Sequence, residues 1–372
     1  MDFDLTPSQR ELSAIARVFA AELALHARER EEAHATPPAV IRGLGERGLL
    51  GVNIPKELGG AARGPVAYAA AVREIAGGDA AVAVTLAVTN MVSEVITRFG
   101  TPEQRERYVP KLVSGEYVGG AFGLSEPQAG SDAGALATRA ERDGSDWVLS
   151  GQKMWISTGD QAGVIVVWAR TGGPGTKGIS CFLVEGGAKG LAAGKPEEKM
   201  GLRASHTVAL SLDGVRVPDS ARLSELGHGF RIAMAALDGG RIGIASQSLG
   251  MGFAALERAR AYLAAHPSRF DEQLAALADM ATELDAGWLL TLRAARLKEA
   301  GTPFSVEAAM AKVFASEAAN RAVRAAVRIL GEAGALEEYE AARLVRDCRV
   351  TQIYEGTSEI QRVVISRALL SK

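Results

Sequence analysis

The stretch GFRIAMAALDGGRIGIASQSLGMGFAALERARAYLAA, residues 229–265, predicts one long helix in spite of its glycines. Two more long segments follow, at residues 271–301 and 305–331, and each repeats apolar residues at i, i+3, i+4 and i+7. Long helices joined by short connections are typical of antiparallel bundles. We therefore expect residues 229–372 to form a helical C-terminal domain.

Upstream of this helix the pattern changes to that of strands. Short runs rich in Val, Ile and aromatic residues occur at residues 146–157, 163–171, 178–185 and 207–218. Gly, Asp-Gly and Pro separate them, as turns between antiparallel strands require. The pattern predicts a small antiparallel β-domain over residues 121–228.

The first 120 residues again favour helices. Thr6 is a helix cap followed by Pro7, and Gln9 completes a capping box. Apolar residues then recur at helical spacing. The order is helices, β-domain, helices, which is an α+β protein that is mainly α, with an N-terminal helical domain over residues 1–120.

Composition excludes several classes of function. Of the 372 residues, 47% are hydrophobic and 23% charged, and the net charge is -2 with Lys and Arg spread along the chain. We therefore expect no nucleic-acid binding. Two separated cysteines, Cys181 and Cys348, and five scattered histidines suggest no metal site.

The start of the chain and its apolar runs bear on location. MDFDLTPSQREL is acidic and lacks the order of a secretory signal. We read no apolar run as approaching the roughly 20 residues that cross a bilayer. We expect no membrane insertion and a cytoplasmic protein.

Three stretches are candidates for chemistry, since Rossmann, Walker, zincin and nucleophile-elbow motifs are missing from the sequence. In AFGLSEPQAGSDAG, residues 121–134, the Gly130-Ser131 turn could approach an anion such as a pyrophosphate. On residue type alone, a tight inter-domain loop is the better interpretation. In KMWIS, residues 153–157, Trp and Ser could face a flat ring, although a strand Trp is more often core.

The third stretch is TQIYEGTSEIQRVV, residues 351–364. Ser358–Gln361 reads as a capping box that starts a helix. Glu355 would then precede a helix N-terminus, where the dipole favours negative charge by about 0.3–1 kcal/mol. Against this, Ile353 and Tyr354 suggest burial, which would raise the pKa of the carboxyl towards that of a general base. The residues alone leave both interpretations open.

Together, FGLSEPQAGSDAG, KMWIS and IYEGTSEIQR resemble the acyl-CoA dehydrogenase family, and LTPSQREL and GHGFRIAMAALDGGRIGIASQSLG extend the likeness over nearly the whole chain. The resemblance implies a helical domain, a β-domain and a C-terminal four-helix bundle. It also implies bound FAD and an acyl-CoA substrate. Glu355 is implied as the base that removes the α-proton while the β-hydrogen leaves as hydride to flavin N5, giving a trans-2-enoyl-CoA. The resemblance further implies that the thioester carbonyl is polarised by the backbone N–H of Glu355 and a flavin ribityl hydroxyl.

Further roles are implied by the same motifs. Some family members place the base just before the residue equivalent to Arg241, but Gly240 stands there and cannot act, so Glu355 is the base candidate that remains. Substrate contacts implied are Ser131, Asp238, Arg241 and Gly356. Cofactor contacts implied are Phe122, Leu124, Ser125, Gly130, Ser131, Trp155, Ile156, Ser157 (where the family has Thr), Thr357, Ser358 and Glu359.

Two segments depart from the family pattern, and both belong to the ADP side of FAD. The family's R-x-x-F-G loop is replaced by the shorter AYLAAHPSRFDEQLAAL, residues 261–277, with His266 near the Arg position. The family's Gln-x-x-Gly-Gly is RILGEAG, in which Arg328 and Glu332 replace Gln and the second Gly while Gly331 is kept. In the family these residues reach FAD across a dimer interface. We expect FAD to be held through a changed or weaker inter-subunit contact, with Arg328 supplying a phosphate or adenine contact.

The subgroup that the sequence resembles is the short-chain, butyryl-CoA type, on LDGGRIGIASQSLG, LLTLRAARLKEAGTPF and EAAMAKVFASEAA. This implies fatty acid β-oxidation, an electron-transfer flavoprotein as acceptor and a homotetramer built as a dimer of dimers. Branched short-chain acyl-CoAs remain open as substrates. The alternatives are an acyl-CoA oxidase of the same fold and a flavin-poor homologue that only binds acyl-CoA or a protein partner.

Overall fold

The computed structural model describes residues 3–370, except for the side chains of residues 270–272. Helices at both ends of the chain enclose one sheet in sequence order, which confirms the mainly α, α+β class. The N-terminal helices are α1 Pro7–Leu25, α2 Ala27–Ala33, α3 Pro38–Glu46, α4 Gly64–Gly78, α5 Ala80–Phe99 and α6 Pro102–Ser114. The strands are β1 Gly120–Gly123, β2 Arg139–Asp143, β3 Asp146–Ser157, β4 Val164–Arg170, β5 Ile179–Glu185, β6 Leu191–Ala193, β7 Thr207–Pro218 and β8 Arg222–Leu223. The C-terminal helices are α7 Gly229–Ala265, α8 Phe270–Glu299, α9 Ser305–Leu330, α10 Ala341–Cys348 and α11 Ser358–Leu370.

Polar side-chain caps satisfy free N–H groups at the starts of α1, α5 and α6. The side chain of Thr6 accepts from the backbone of Gln9 and the side chain of Gln9 accepts from the backbone of Thr6, with Pro7 first in α1, so the predicted capping box is confirmed. Asp79 separates α4 from α5, and its carboxylate accepts from the N–H groups of Ala81 and Val82.

Helix α5 corrects the expectation about apolar runs. Its 20 residues are long and apolar enough to cross a membrane by length and composition, with a mean hydropathy of 1.6. However, 83% of that apolar window is buried inside the protein. Helix α5 packs against α4, α6 and α7, which accounts for its apolar character as that of a central core helix.

The sheet has the order β6-β7-β3-β2-β4-β5-β8, with β1 paired to β4. Most neighbours are antiparallel, as predicted, whereas β1 with β4 and β2 with β4 are parallel. The β2–β3 hairpin connects β1 to its parallel neighbour β4, and β3 alone connects β2 to β4. Turn residues and alternation predict hairpins well, but they do not reveal such crossovers.

The C-terminal domain is built on α7, α8 and α9, with α11 packed on α9. Alanines and glycines let these long helices approach closely. At Gly252 of α7, a Cβ would lie 2.4 Å from Leu284 of α8. Trp168 of β4 donates from its indole to the carbonyl of Gly229, which anchors the start of α7 on the sheet. This anchor orients the helix that carries the residues of the candidate site.

Candidate active site

Glu355 lies in a turn between α10 and α11 that has an uncommon backbone conformation. Its φ is 54°, and the φ of Gly356 is 87°, so two successive residues are left-handed. Such a conformation at a non-glycine residue costs on the order of 1–3 kcal/mol and persists only where surrounding contacts hold it. Those contacts come from Gln361 and Lys312, whose side-chain nitrogens lie 2.8 and 2.7 Å from the carbonyl oxygen of Gly356.

The capping box predicted at Ser358–Gln361 is wrong. Helix α11 begins at Ser358, so the cap is one residue earlier: the Thr357 hydroxyl accepts from the N–H of Ile360 at 3.3 Å. The Gln361 amide instead points back to the carbonyl oxygens of Glu355 and Gly356. Ser358 Oγ is buried and, within the part of the chain that the structure describes, has no hydrogen-bond partner.

The two apolar residues before Glu355 behave differently from each other. Ile353 is 49% exposed, so the suggestion that it buries the glutamate is wrong. Of the two residues, Tyr354 is the one that packs inward. Its ring lies against the main helical core, and its hydroxyl donates to the Gln247 side chain of α7. Two adjacent apolar residues in an irregular turn do not reveal, from the sequence alone, which of the two side chains is buried.

The Glu355 carboxylate is enclosed by helix α7. Its Oε2 is inaccessible to solvent and finds no hydrogen-bond partner among the described residues. A Cβ at Gly240 would lie only 2.6 Å from this oxygen, so the missing side chain at 240 makes the space that Glu355 fills. Burial raises the pKa of Glu355 to about 7, while the charges of Arg241 and Lys312 act in the opposite direction. Desolvation therefore outweighs both cations. The catalytic role of Glu355 stays a prediction.

We expect the activity to have an acidic limb set by Glu355. A base must be ionised to accept a proton, and a carboxyl with a pKa of about 7 is protonated in more acidic solution. kcat/KM should therefore fall about tenfold per pH unit below pH 7 and level off above it. Steady-state rates from pH 5.5 to 8.5 check this, with the flavin spectrum recorded at each pH. A limb near pH 4.5 would contradict a buried base.

Asp238 and Arg241, two of the residues predicted to contact substrate, lie on α7 on either side of Gly240, which packs against Glu355. Asp238, Gly239 and Gly240 line a cavity of about 580 Å³ together with residues of α4 and α5. Arg241 is buried and pairs with Asp238 at 2.5 Å, and the Ser305 hydroxyl donates to the same Asp238 oxygen at 2.8 Å. Burial raises the pKa of Asp238 in spite of Arg241. Asp238, held by Arg241, thus lines the cavity, and Gly240 both lines the cavity and packs against the Glu355 carboxylate.

An ion pair that sequence reasoning missed lies in the same cavity. Lys298 of α8 donates to Glu94 of α5 at 2.7 Å, and the Asn53 amide donates to the other oxygen of that carboxylate. A Cβ at Gly239 would lie 3.0 Å from the Lys298 ammonium. No sequence motif predicts that Glu94 and Lys298 lie close together, because their proximity results only from the packing of α5 and α8.

The loop of residues 122–131 and the strand of residues 153–157 form one unit. The N–H of Met154 donates to the carbonyl of Ser125 at 2.9 Å. Lys153 is fully buried and its ammonium lies 2.8 Å from Glu126, which also accepts from the N–H groups of Ala137 and Thr138. Desolvation lowers the pKa of Lys153 to about 8, and Glu126 counteracts it. The pair fixes the loop to the strand. A lysine at an inward position of β3 is the sequence signal that was overlooked.

The position of Trp155 results from a β-bulge. The register of β3 against β7 shifts between Lys153 and Ile156, and Trp155 has a φ of 62°. The bulge leaves the Trp155 indole 59% exposed, whereas Ile156 is buried in the sheet core. Ile156 can therefore offer a cofactor only its backbone. Trp155 is not the plain core residue that a strand tryptophan usually is.

The predicted loop residues divide by exposure. Phe122 lies against Trp168 with ring centroids 4.3 Å apart, and Leu124 belongs to the same buried cluster. Gly130 and Ser131 are exposed, and within the described residues no atom lies within 4 Å of a Cβ built on Gly130. Phe122 and Leu124 thus support the loop, while Gly130 and Ser131 remain accessible at its tip.

These features fit FAD. Trp155 presents an aromatic face for a flat ring, and Gly130 and Ser131 present accessible backbone and a hydroxyl to a phosphate. The buried Ser358 Oγ has hydrogen-bonding capacity to spare at the start of α11, where free N–H groups attract anions. Thr357 and Glu359 flank that start, so the three residues predicted there lie together.

Arg328 and Gly331 are not brought to this site within one chain. Arg328 is exposed near the end of α9, about 24 Å along the helix from Lys312 at a rise of about 1.5 Å per residue. Gly331 ends α9 with a φ of 63°. The roles proposed for both stay predictions.

The two departing segments contact each other. The guanidinium of Arg269 lies 3.5 Å from the Leu330 carbonyl and 3.2 Å from the Tyr262 hydroxyl, and the His266 ring stacks on Tyr262 at 4.2 Å. Within the segment 266–273, the side chains of residues 270–272 lie outside the described residues. Among residues 3–370, apart from the side chains of residues 270–272, no group of three His, Cys, Asp or Glu is placed to hold a metal ion.

The fold and this site define a class. Family models for the N-terminal, middle and C-terminal domains of acyl-CoA dehydrogenase match residues 6–116, 121–215 and 227–370. The chain belongs to the acyl-CoA dehydrogenase family.

Three similar proteins are informative. The chain is 46% identical to the mitochondrial short-chain specific acyl-CoA dehydrogenase of Bos taurus over 99% of this chain and 91% of that protein. Its structure is similar to butyryl-CoA dehydrogenase from Megasphaera elsdenii, with a TM-score of 0.95 and 39% identity over 100% of both chains. It is also similar to a chain in a structure described as the electron transferring flavoprotein of Acidaminococcus fermentans, with a TM-score of 0.98 and 40% identity over 100% of both chains.

Proposed function

We propose that this protein is an FAD-dependent dehydrogenase that converts short-chain acyl-CoA thioesters to trans-2-enoyl-CoA, with Glu355 as the general base. The observation that carries the proposal is the packing of the Glu355 carboxylate against Gly240, a residue that lines a cavity together with Asp238, the partner of the buried Arg241. A carboxyl whose pKa is near neutral suits removal of a weakly acidic α-proton.

The chain's own residues supply binding, orientation and proton transfer. Oε2 of the carboxylate is inaccessible to solvent, and the left-handed turn fixes where the carboxylate points. The backbone N–H of Glu355 is the donor that would polarise the thioester carbonyl. Trp155, Ser131 and the start of α11 would hold FAD. When bound, FAD supplies the acceptor for the hydride that leaves the β-carbon.

The preference for short chains rests on two kinds of support. The relatives named above that carry a chain length in their descriptions are short-chain or butyryl-CoA enzymes. The cavity is lined by the bulky Tyr68, Met91 and Phe304, which limit the room for a long acyl chain. Branched short-chain acyl-CoAs remain candidates, because side chains of this kind restrict length more than they restrict shape.

We propose further that the reduced enzyme passes its electrons to an electron-transfer flavoprotein, as the structure from Acidaminococcus fermentans suggests. A homotetramer built as a dimer of dimers in the cytoplasm, serving fatty acid β-oxidation, completes the proposal. In such an assembly, the second subunit would bring Arg328 and Gly331 towards the ADP half of FAD.

Anaerobic titration of the purified protein with acyl-CoAs of increasing length tests the function. We expect butyryl-CoA to bleach the flavin spectrum, with progressively less bleaching per equivalent from octanoyl-CoA to palmitoyl-CoA. The free fatty acid is the control, since it lacks the thioester that acidifies the α-proton.

Each alternative gives a different result. A flavin that bleaches best with palmitoyl-CoA would contradict the short-chain preference. Oxygen consumption with butyryl-CoA and no added acceptor would identify an oxidase. A colourless protein that stays free of flavin after incubation with FAD would leave only a binding role.

A further inference from the structure

A buried lysine lies beside the catalytic turn. Lys312 is fully buried in α9, a helix whose neighbouring inward positions are filled by Ala309, Ala315 and Ser316. Its ammonium donates to the Gly356 carbonyl at 2.7 Å. Taking an ammonium out of water is costly, so a lysine in such an alanine-lined position needs a compensating partner. The partner is the turn that carries Glu355.

The turn is held by two donors that differ in charge. Gln361 is fully buried, and its amide donates to the carbonyls of Glu355 at 3.2 Å and Gly356 at 2.8 Å. Lys312 adds a charged donor to the same Gly356 oxygen. Since Glu355 and Gly356 are both left-handed, the turn would relax without these bonds, and the carboxylate would move with it.

The charge of Lys312 also acts on the carboxylate itself. The charged groups that act on Glu355 are Arg241 on α7 and Lys312 on α9, while Glu355 in turn acts on the phenols of Tyr68 on α4 and the adjacent Tyr354. The two cations favour the ionised carboxylate, and the two buried phenols stay neutral because burial raises the pKa of each. Arg241 is already paired with Asp238, whereas the hydrogen bond of Lys312 goes to a neutral carbonyl. The carboxylates whose charges act on the Lys312 ammonium are those of Glu355, Glu359 and Glu317, with Glu355 the strongest of them.

We propose that Lys312 is a positioning residue for Glu355: its hydrogen bond to Gly356 holds the turn, and its charge favours the ionised form of the base. This inference rests on the proposed role of Glu355. Lys312 does not touch the reacting atoms. It acts through the turn and through the field of its ammonium, and Gln361 shares only the first of these two tasks.

Two substitutions separate the tasks. Lys312→Met keeps the length of the side chain and removes both the donor and the charge. We expect kcat to fall by about 10–100-fold, as a misplaced catalytic group does, and the acidic limb of the pH profile to move up by about one pH unit. Lys312→Gln keeps a neutral donor. We expect it to recover most of kcat above the limb while the limb stays displaced.

Gln361→Met and a surface lysine complete the set. Gln361→Met removes the neutral donor, so kcat should fall without displacement of the limb. Lys111→Met makes the same chemical change as Lys312→Met at an exposed site of α6 and should leave both quantities unchanged. Circular dichroism and flavin absorbance verify that each variant folds and holds FAD.

The outcomes decide between positioning and simple packing. The proposal is wrong if Lys312→Met has the kcat and the acidic limb of the wild-type pH profile. It is also wrong if kcat falls while the pH of the acidic limb is unchanged. Should Lys312→Met fail to fold, Lys312→Gln and Gln361→Met carry the test, and an unmoved limb in Lys312→Gln overturns the proposal. Failure of the base assignment itself is recognised separately, since Glu355→Gln would then retain turnover.

Discussion

Glu355→Gln is expected to hold FAD and bind butyryl-CoA but to lose turnover by about 10²–10⁴-fold, the usual contribution of a general base. Glutamine has almost the same shape and cannot take the α-proton. The substituted side chain also fits the site, because the space beside Gly240 is set by the backbone of α7. Loss of kcat with little change in the affinity for substrate is therefore the expected pattern.

Stopped-flow reduction of the flavin is the measurement, because it isolates the chemical step from later electron transfer. Glu116→Gln is the matched control, since Glu116 is an exposed carboxylate after α6 whose only ion pair is a 3.6 Å contact with Lys111 among the described residues. It should reduce its flavin at the wild-type rate. A Glu355→Gln enzyme that retained a tenth or more of the wild-type rate would show that another group removes the proton.

Lys153→Met is expected to lower the free energy of unfolding by about 3–5 kcal/mol, as loss of one member of a buried ion pair does. Lys153 is fully buried, and Glu126 would be left with its backbone partners but without its counter-ion. The Lys153–Glu126 pair fixes the loop of residues 122–131 to β3, so we expect the retention of FAD to fall together with the stability of the protein.

Urea unfolding followed by circular dichroism measures the effect. Lys111→Met is the control, and its exposed, 3.6 Å pair with Glu116 predicts a change within about 0.5 kcal/mol. The double variant Lys153→Met with Glu126→Gln should recover part of the loss, because no buried charge is then left unpaired. If the single variant is as stable as the wild type, the pair does not secure the loop.

Most of the helices and strands could be predicted from the sequence. Helical periodicity over residues 229–265 gave a helix with those limits, and the run at residues 146–157 formed one strand. These signals are local and periodic, and packing did not override them. Parallel pairing of β1 with β4 could not be read in the same way, because it depends on where the chain returns after a hairpin.

The sequence motifs predicted the residues of the candidate site, but not the residues that hold the catalytic turn in place. Glu355 and the motif residues around Trp155 were named from the sequence, and their roles stay predictions. Lys312 and Gln361 were missed because their importance lies in one carbonyl that is brought to them only by the left-handed turn. The wrong prediction of a helix cap at Ser358 has the same cause. The Gln361 side chain is hydrogen-bonded to the turn and does not take part in a capping box, and Thr357 is the residue that caps α11.

The contact between Gly240 and Glu355 has an evolutionary consequence. A side chain at 240 would collide with the carboxylate, so the two positions share the volume of one acidic group. An acidic side chain at 240 would therefore require the Glu355 side chain to move or to be replaced, so a transfer of the acidic group from the turn to the helix would involve both positions.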